Sequence, residues 1–194
     1  MAAHDDAVLD VFRKAGALLE GHFLLTSGLH SPKYLQCAQV MQNPAVGGQL
    51  CGQLARAFAK DNIQVVVGPA IGGILVAYEL ARALGTRAIF AERQDGVMMF
   101  RRGFGISKGE RALLVEDVVT TGGSLREVMD LVRSAGGEVV AVASLVDRTS
   151  GADPGLGMPL TSLVKVDVPT YPPESCPLCQ AGVPIAKPGR TGKK

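Results

Sequence analysis

The chain of 194 residues contains no tryptophan, which by itself excludes nothing, but other shortages are informative. It has no uninterrupted apolar run of the roughly 18 residues that a membrane helix needs. The most apolar stretch, Val65 to Tyr78, is broken by Gly68, Pro69, Gly72 and Gly73. Excess charge is also lacking: a net charge of +2 supplies no basic field for nucleic acid. An apolar leader is missing, because Asp5, Asp6 and Asp10 interrupt the N-terminus where one would lie. Those absences together lead us to expect a soluble, cytoplasmic protein with neither membrane nor nucleic acid as partner. Cysteine is scarce, with four residues. Cys176 and Cys179 form a CxxC, but Cys37 and Cys51 form no second one. That is half of a metal site, and plain packing of a C-terminal segment is the reading placed ahead of metal or disulfide.

Glycine is the opposite case, with 24 of 194 residues against a typical share of about 7%. Several strand-to-helix turns that approach a ligand closely would account for it. The most informative is the stretch Leu113 to Ser124, LLVEDVVTTGGS. Leu113, Leu114 and Val115 read as a buried parallel strand that stops at the adjacent carboxylates Glu116 and Asp117. Val118 and Val119 lead into Thr120, Thr121, Gly122, Gly123 and Ser124, after which Leu125, Val128, Met129 and Val132 recur at helical spacing. Glycines let backbone N–H groups approach an oxyanion, and the helix dipole adds positive potential, so the turn is a phosphate cradle. The lysine of the pattern GxxxxGK[ST] is absent, which argues against a nucleotide triphosphatase. Two carboxylates before a cradle of this size suit a sugar phosphate: the turn holds the phosphate, and the acids accept hydrogen bonds from ribose hydroxyls, directly or through Mg2+.

This motif resembles the signature with which type I phosphoribosyltransferases bind PRPP (5-phosphoribosyl 1-diphosphate). The fold implied is α/β, a central mostly parallel sheet flanked by helices, with a small N-terminal hood and a flexible lid loop. The resemblance makes Glu116, Asp117 and Arg93 the catalytic candidates. The PRPP site it implies is Glu116, Asp117, Val118, Val119, Thr120, Thr121, Gly122, Gly123 and Ser124, with Arg93.

In chain order, Val8, Leu9, Phe12, Ala15, Leu18 and Leu19 fit one face of a helix ending at Gly21. His22 to Tyr34 reads as a hairpin that turns at Ser27-Gly28. On its residues alone it is an edge hairpin, but its F-x-x-x-SG-x-x-SP-x-Y resembles the hood of orotate phosphoribosyltransferases, which covers the pyrimidine. A second helix carries Val46, Leu50, Leu54, Ala57 and Phe58, and Ile63 to Val67 is the first core strand. It ends in the turn Gly68 to Gly73, where Ala70, Ile71, Gly72 and Gly73 offer backbone amides to a pyrophosphate. The family often has a lysine where this chain has Gly72.

After a strand at Arg87 to Ala91, residues Glu92 to Glu110 read as a polar, irregular segment, a lid or a solvated loop. Arg93, Arg101, Arg102 and Lys108 would attract a polyphosphate. Arg93 matches the arginine that opens the family's mobile lid. The lysines expected after it fall near Gln94 and Val97, so Arg101 and Arg102 are the substitutes considered. The β-branched strand Glu138 to Val146 ends at Asp147-Arg148, where ligands of open parallel sheets sit. In the family an arginine in the context V-D-R-x-x-G contacts the orotate carboxylate, making Arg148, with Thr120, the orotate-binding candidates. Thr161 to Val166 reads as the last strand, and Pro188 to Lys194 as a frayed basic end.

The expected organisation is one domain over 1–194: helix and hood in 1–44, core in 45–170 and tail in 171–194. The resemblance implies transfer of ribose 5-phosphate from PRPP to orotate in pyrimidine biosynthesis. It further implies Mg2+ as cofactor, carried mainly on PRPP with no confident direct protein ligand, and a homodimer sharing the lid across subunits. Two alternatives stay open: a purine-base phosphoribosyltransferase, and a PRPP-sensing regulator, for whose DNA-binding domain 194 residues leave little room.

Overall fold

The strand Val65–Pro69 (β3) is buried along its whole length, as expected of a strand covered by helices on both sides. The structure, a computed structural model, describes residues 3–25 and 28–187. Beside β3 lie β4 (Arg87–Gln94), β5 (Val97–Phe100), β6 (Arg111–Val119), β7 (Glu138–Asp147) and β8 (Leu160–Lys165). They form one sheet in the order β5-β4-β3-β6-β7-β8. All pairings are parallel except β4 with β5. A separate antiparallel pair, β1 (Leu18–Leu24) and β2 (His30–Leu35), forms the hood hairpin.

Successive residues of a strand face opposite sides, and this alternation builds two cores. Val66, Leu113 and Val115 pack with Phe12, Leu50, Val76 and Leu80 from helices α1 (Ala3–Lys14), α3 (Pro44–Ala55) and α4 (Gly72–Leu84). On the other side Val65, Val67, Ala112 and Leu114 pack with Leu125, Val128 and Val132 of α5 (Gly123–Ser134). Each fully buried leucine, Leu113 and Leu114 among them, contributes about 1.5–3 kcal/mol. Local sequence marks the helix ends. Asn43 caps α3 by accepting from the N–H of Ala45 and Val46, with Pro44 in the first turn. Gly85, at φ 69°, closes α4 in the left-handed conformation that only glycine adopts freely. A four-residue α2 (Ala38–Met41), a 3-10 turn at Arg56–Phe58 and the tail elements Pro173–Ser175 (3-10) and α6 (Pro177–Gln180) complete the chain.

Four expectations need correction. The first helix ends at Lys14, not at Gly21; Leu18 and Leu19 belong to β1. Their apolar spacing continues the helical period, but Gly16 turns the chain at φ 66°. The segment 92–110 is not irregular throughout. Its first part is the β4–β5 hairpin, with Gln94 opposite Val97 and the turn residues Asp95 and Gly96 at φ 53° and 85°. Asp-Gly between strands is a strong two-residue hairpin signal, hidden here by the charge around it. Strand β6 does not stop at the carboxylates: Glu116 pairs with Ser144 and Val119 with Asp147. The neighbouring strand is long enough to carry the ladder past the charge. The tail, finally, is no plain packing segment, because two of its side chains join a polar cluster with the hairpin. Ser27 and the end 188–194 lie outside the described residues.

Candidate active site

The chain runs from β3 outward to β4 and β5, then returns to place β6 on the other side of β3. The carboxyl ends of β3 and β6 therefore flank the point where strand order reverses, the crevice in which open α/β sheets bind ligands. From β3 comes the turn Ala70-Ile71-Gly72-Gly73, in which the Ala70–Ile71 peptide is cis; from β6 come the acid pair and the cradle. The two loops touch. A Cβ on Gly72 would stand 2.5 Å from Asp117 Oδ1, so a larger residue there, a lysine included, would have to displace the Asp117 carboxylate.

The cradle opens α5. Gly122 is its N-cap, at φ 74°, and a Cβ there would lie 2.7 Å from the Pro154 carbonyl oxygen, so both conformation and space call for glycine. Arg126 ties the turn down by donating to the carbonyls of Thr121, at 2.7 Å, and of Pro154. A cavity of about 280 Å³ lies at the cradle, lined by Glu116, Val118, Thr120 through Ser124, Arg93 and Glu127. A larger hollow of about 480 Å³ adjoins Val11, Gln39, Asn43 and Val46, but shares no residue with the cradle and offers no carboxylate.

Alternation along β6 separates the two acids. Glu116 continues the face of Ala112 and Leu114 toward α5; Asp117 continues the face of Leu113 and Val115 toward the hood. Burial, and then the charge of Asp117, push Glu116 up to about 7, against a hydrogen bond with Ser124 and the charge of Arg93. Burial also raises Asp117, opposed by the hydrogen bond its Oδ1 accepts from the Val118 N–H at 3.0 Å. Desolvation is the largest cause at both carboxylates.

Arg148 lies on the hood side. Its backbone N–H donates to the Val119 carbonyl at 2.8 Å, fixing it beside β6. Its side-chain Nε is buried and has no hydrogen-bond partner among the described residues. Burial lowers its affinity for the proton, while Tyr34 of β2 and Cys37 favour the cation. Cys37 is itself raised by burial and then by Asp117. Asp117, Cys37, Tyr34 and Arg148 thus form one neighbourhood under the hairpin. Arg93 stands on the other side, on β4, paired with Glu127 of α5 at 2.5 Å. Arg102 pairs with Glu92 at 3.0 Å, and Arg101 approaches the same carboxylate at 3.8 Å.

The sequence alone did not single out Arg126 or Glu127, and it named Tyr34 and Cys37 only in the hood motif and the cysteine count, not at this site. Arg126 had a usable signal, a basic residue four positions after the N-cap glycine; the others meet the site only through folding.

Comparison with known proteins bears directly on this geometry. Residues 37–163 match the family model of the phosphoribosyl transferase domain. The orotate phosphoribosyltransferase of Caldicellulosiruptor bescii is 54% identical over 188 residues, 97% of this chain and 98% of its own. The chain belongs to the orotate phosphoribosyltransferase family. The enzyme of that name from Carboxydothermus hydrogenoformans is 58% identical over 181 residues, 92% of this chain and 94% of its own. Among solved structures, orotate phosphoribosyltransferase from Aeropyrum pernix superposes with a TM-score of 0.69 at 28% identity, covering 82% of this chain and 93% of that one. The family's type I fold is the one described above, a mostly parallel sheet between helices.

Proposed function

We propose that the switch-point crevice is where the chain performs its family's reaction, with the residues in the roles below. The chain transfers the ribose 5-phosphate group of PRPP to orotate, forming orotidine 5-monophosphate and pyrophosphate. The cradle from Thr120 to Ser124 holds the 5-phosphate on the N-terminus of α5. Backbone amides of Ala70 to Gly73 face the pyrophosphate. Glu116 and Asp117, one from each face of β6, straddle the ribose and oppose the positive charge that develops on it. The C1–O bond breaks with its electron pair leaving on the pyrophosphate, and N1 of orotate forms the new bond to C1 as it gives up its proton, which leaves with the pyrophosphate.

Arg148 receives the orotate carboxylate. The observation that carries this role is its buried Nε, a cationic donor without a partner among the described residues, beneath the hood hairpin. An unpaired buried donor of this kind is costly, and a carboxylate would satisfy it through two parallel hydrogen bonds. Neutral purines lack that group, which disfavours the purine-base alternative.

For Mg2+ the donor set fits: the acids here are hard oxygen donors, with the hydroxyls of Thr120, Thr121 and Ser124 nearby on the chain. Bound with PRPP, Mg2+ would neutralise charge on the leaving pyrophosphate, with Glu116 and Asp117 as the side chains that would hold it. The β4–β5 hairpin with Arg93 is the lid of this reading. Arg93 exchanges Glu127 for the polyphosphate when PRPP binds, and in the assembled dimer the lid serves the neighbouring subunit. A homodimer is supported by Ile71, just before α4, and Leu75 and Tyr78 on it, which are 85%, 48% and 61% exposed. The cytoplasm suits a chain in which none of the four cysteines is disulfide-bonded. No helix of the described residues is long and apolar enough to cross a membrane.

Pyrophosphate release measured with orotate, adenine, hypoxanthine and uracil tests the reading. Release with orotate alone is expected; release with a purine and not with orotate would overturn it.

A further inference from the structure

Away from the crevice, four side chains converge where the C-terminal tail crosses the hood hairpin. His22 comes from β1, His30 from β2, and Cys176 and Cys179 from the start of α6. None has a role in the reaction above. Backbone hydrogen bonds bring the tail there. Tyr171 exchanges both its bonds with His30, at 2.8 and 2.9 Å, and Ala186 bonds to His22 and Leu24, at 2.8 and 3.0 Å. The two cysteines lie on the loop between those anchors.

Their spacing is that of ligands around one ion. His22 Nε2 is 2.9 Å from His30 Nδ1, 3.6 Å from Cys176 Sγ and 3.8 Å from Cys179 Sγ. Cys179 Sγ is 3.2 Å from His30 Nδ1, and all four atoms lie within 4.8 Å of one another. Bonds of about 2.0–2.1 Å to nitrogen and 2.3 Å to sulfur place tetrahedral ligands roughly 3.3–3.8 Å apart. The observed edges bracket that range. His22 Nδ1 lies 2.7 Å from the Val183 carbonyl oxygen, so its N–H donates outward. That tautomer leaves the Nε2 lone pair facing the cluster, the arrangement by which metal-bound histidines are commonly oriented. His22, His30 and Cys176 are buried, and Cys179 closes the cluster on its solvent side.

We propose that His22 Nε2, His30 Nδ1, Cys176 Sγ and Cys179 Sγ form a structural Zn2+ site that fastens the C-terminal segment to the hood hairpin. Two thiolates with two imidazoles select zinc over hard cations such as Mg2+, and four protein ligands leave no position for water or substrate. The site therefore supports no reaction of its own. Its effect is to close a loop of about 150 residues between hairpin and tail, using binding free energy that counts as folding free energy. The short tail elements bury little of their own apart from Cys176.

Metal analysis of the full chain purified under reductant, without added chelator, tests this. About one Zn2+ per chain is expected. Cys179→Ser and His30→Ala should each lower Zn2+ retention at least tenfold against a chromophoric chelator, with the sheet's circular dichroism unchanged. For a readout that needs no variant, stripping the wild-type chain should lower Tm, and Zn2+ alone should restore it. Co2+ added to the stripped chain should give the intense visible bands of a tetrahedral thiolate site. A weak octahedral Co2+ spectrum, stoichiometric iron instead of zinc, or a Cys176–Cys179 disulfide under these conditions would overturn the proposal. So would a chain that takes up no Zn2+ and keeps its Tm, leaving only a hydrogen-bonded thiol–imidazole cluster.

Discussion

The phosphate cradle and the His–Cys cluster are both built from side chains held within a few ångströms, yet they are assembled in opposite ways. The cradle is nine consecutive residues, Glu116 to Ser124, whose chemistry follows from one strand, one turn and one helix N-terminus. The cluster joins residues 154 positions apart, and none of its local segments is informative alone. A contiguous site is specified by local backbone geometry; a dispersed one exists only once the hairpin and the tail have found each other. The first should therefore tolerate loss of the tail's anchorage, whereas the second should not.

The sharpest test of the contiguous site is Asp117→Asn. It keeps size while removing charge beside a cationic transition state, and turnover should fall about two orders of magnitude or more with Tm little changed. Equal turnover would take the acid out of the mechanism and leave the cradle a mere helix start.

Next in size is Arg148→Ala, on the hood side. A charge-assisted pair is worth about 1.5–3 kcal/mol, so orotate use should weaken roughly 10- to 150-fold. PRPP affinity, held by the separate cradle, should change less than about threefold. Loss of PRPP binding with orotate binding intact would move Arg148 to the phosphate side.

The α5 face can be probed by pH. Glu116 is raised from 4.5 to about 7, so protonation is favoured in the folded state. The associated stability is complete below about 4.5 and is lost as pH rises through about 7. Glu116→Gln should flatten that slope in thermal melts of the ligand-free enzyme. If turnover needs the ionised acid, one pH unit below its folded value should cost roughly tenfold. A variant with the same pH slope would assign it to another group.

The smallest effect concerns coupling between the two regions. Tyr34, near Arg148, lies on β2 with His30, so stripping Zn2+ should loosen the acceptor side first. We expect the KM for orotate to rise about fivefold, roughly 1 kcal/mol, with the KM for PRPP unchanged. Equal deterioration of both constants would mean that the metal supports the whole fold.

The order of strand, acid pair, glycine turn and amphipathic helix was legible because each step depends on neighbours a few residues apart. For the same reason the parallel core could be anticipated from Val65 to Val67 and Leu113 to Val115, runs with no polar face. The Asp95-Gly96 hairpin was equally local and was missed because charge and glycine also describe a loop. Other features had no local signature. Strand β6 continues through Glu116 and Asp117 because β7 extends beside it, and that extension sends the two acids to opposite faces. Gly72 is confined by Asp117, which lies 45 residues away in the chain but in contact across the switch point.

By itself, then, the sequence determined the acid pair and glycine turn between strand and helix, the alternation of strands and helices, and through them the family. Those depend on backbone conformation and on apolar periodicity, which are written over short spans. Only the tertiary structure decided that Arg148 meets the hood with an Nε unpaired among the described residues, that Arg93 rests against Glu127, and that a lone CxxC finds two histidines. Each of these is a contact between distant segments. The cost of closing the chain is recovered by burial of the whole core, so no local pattern records it.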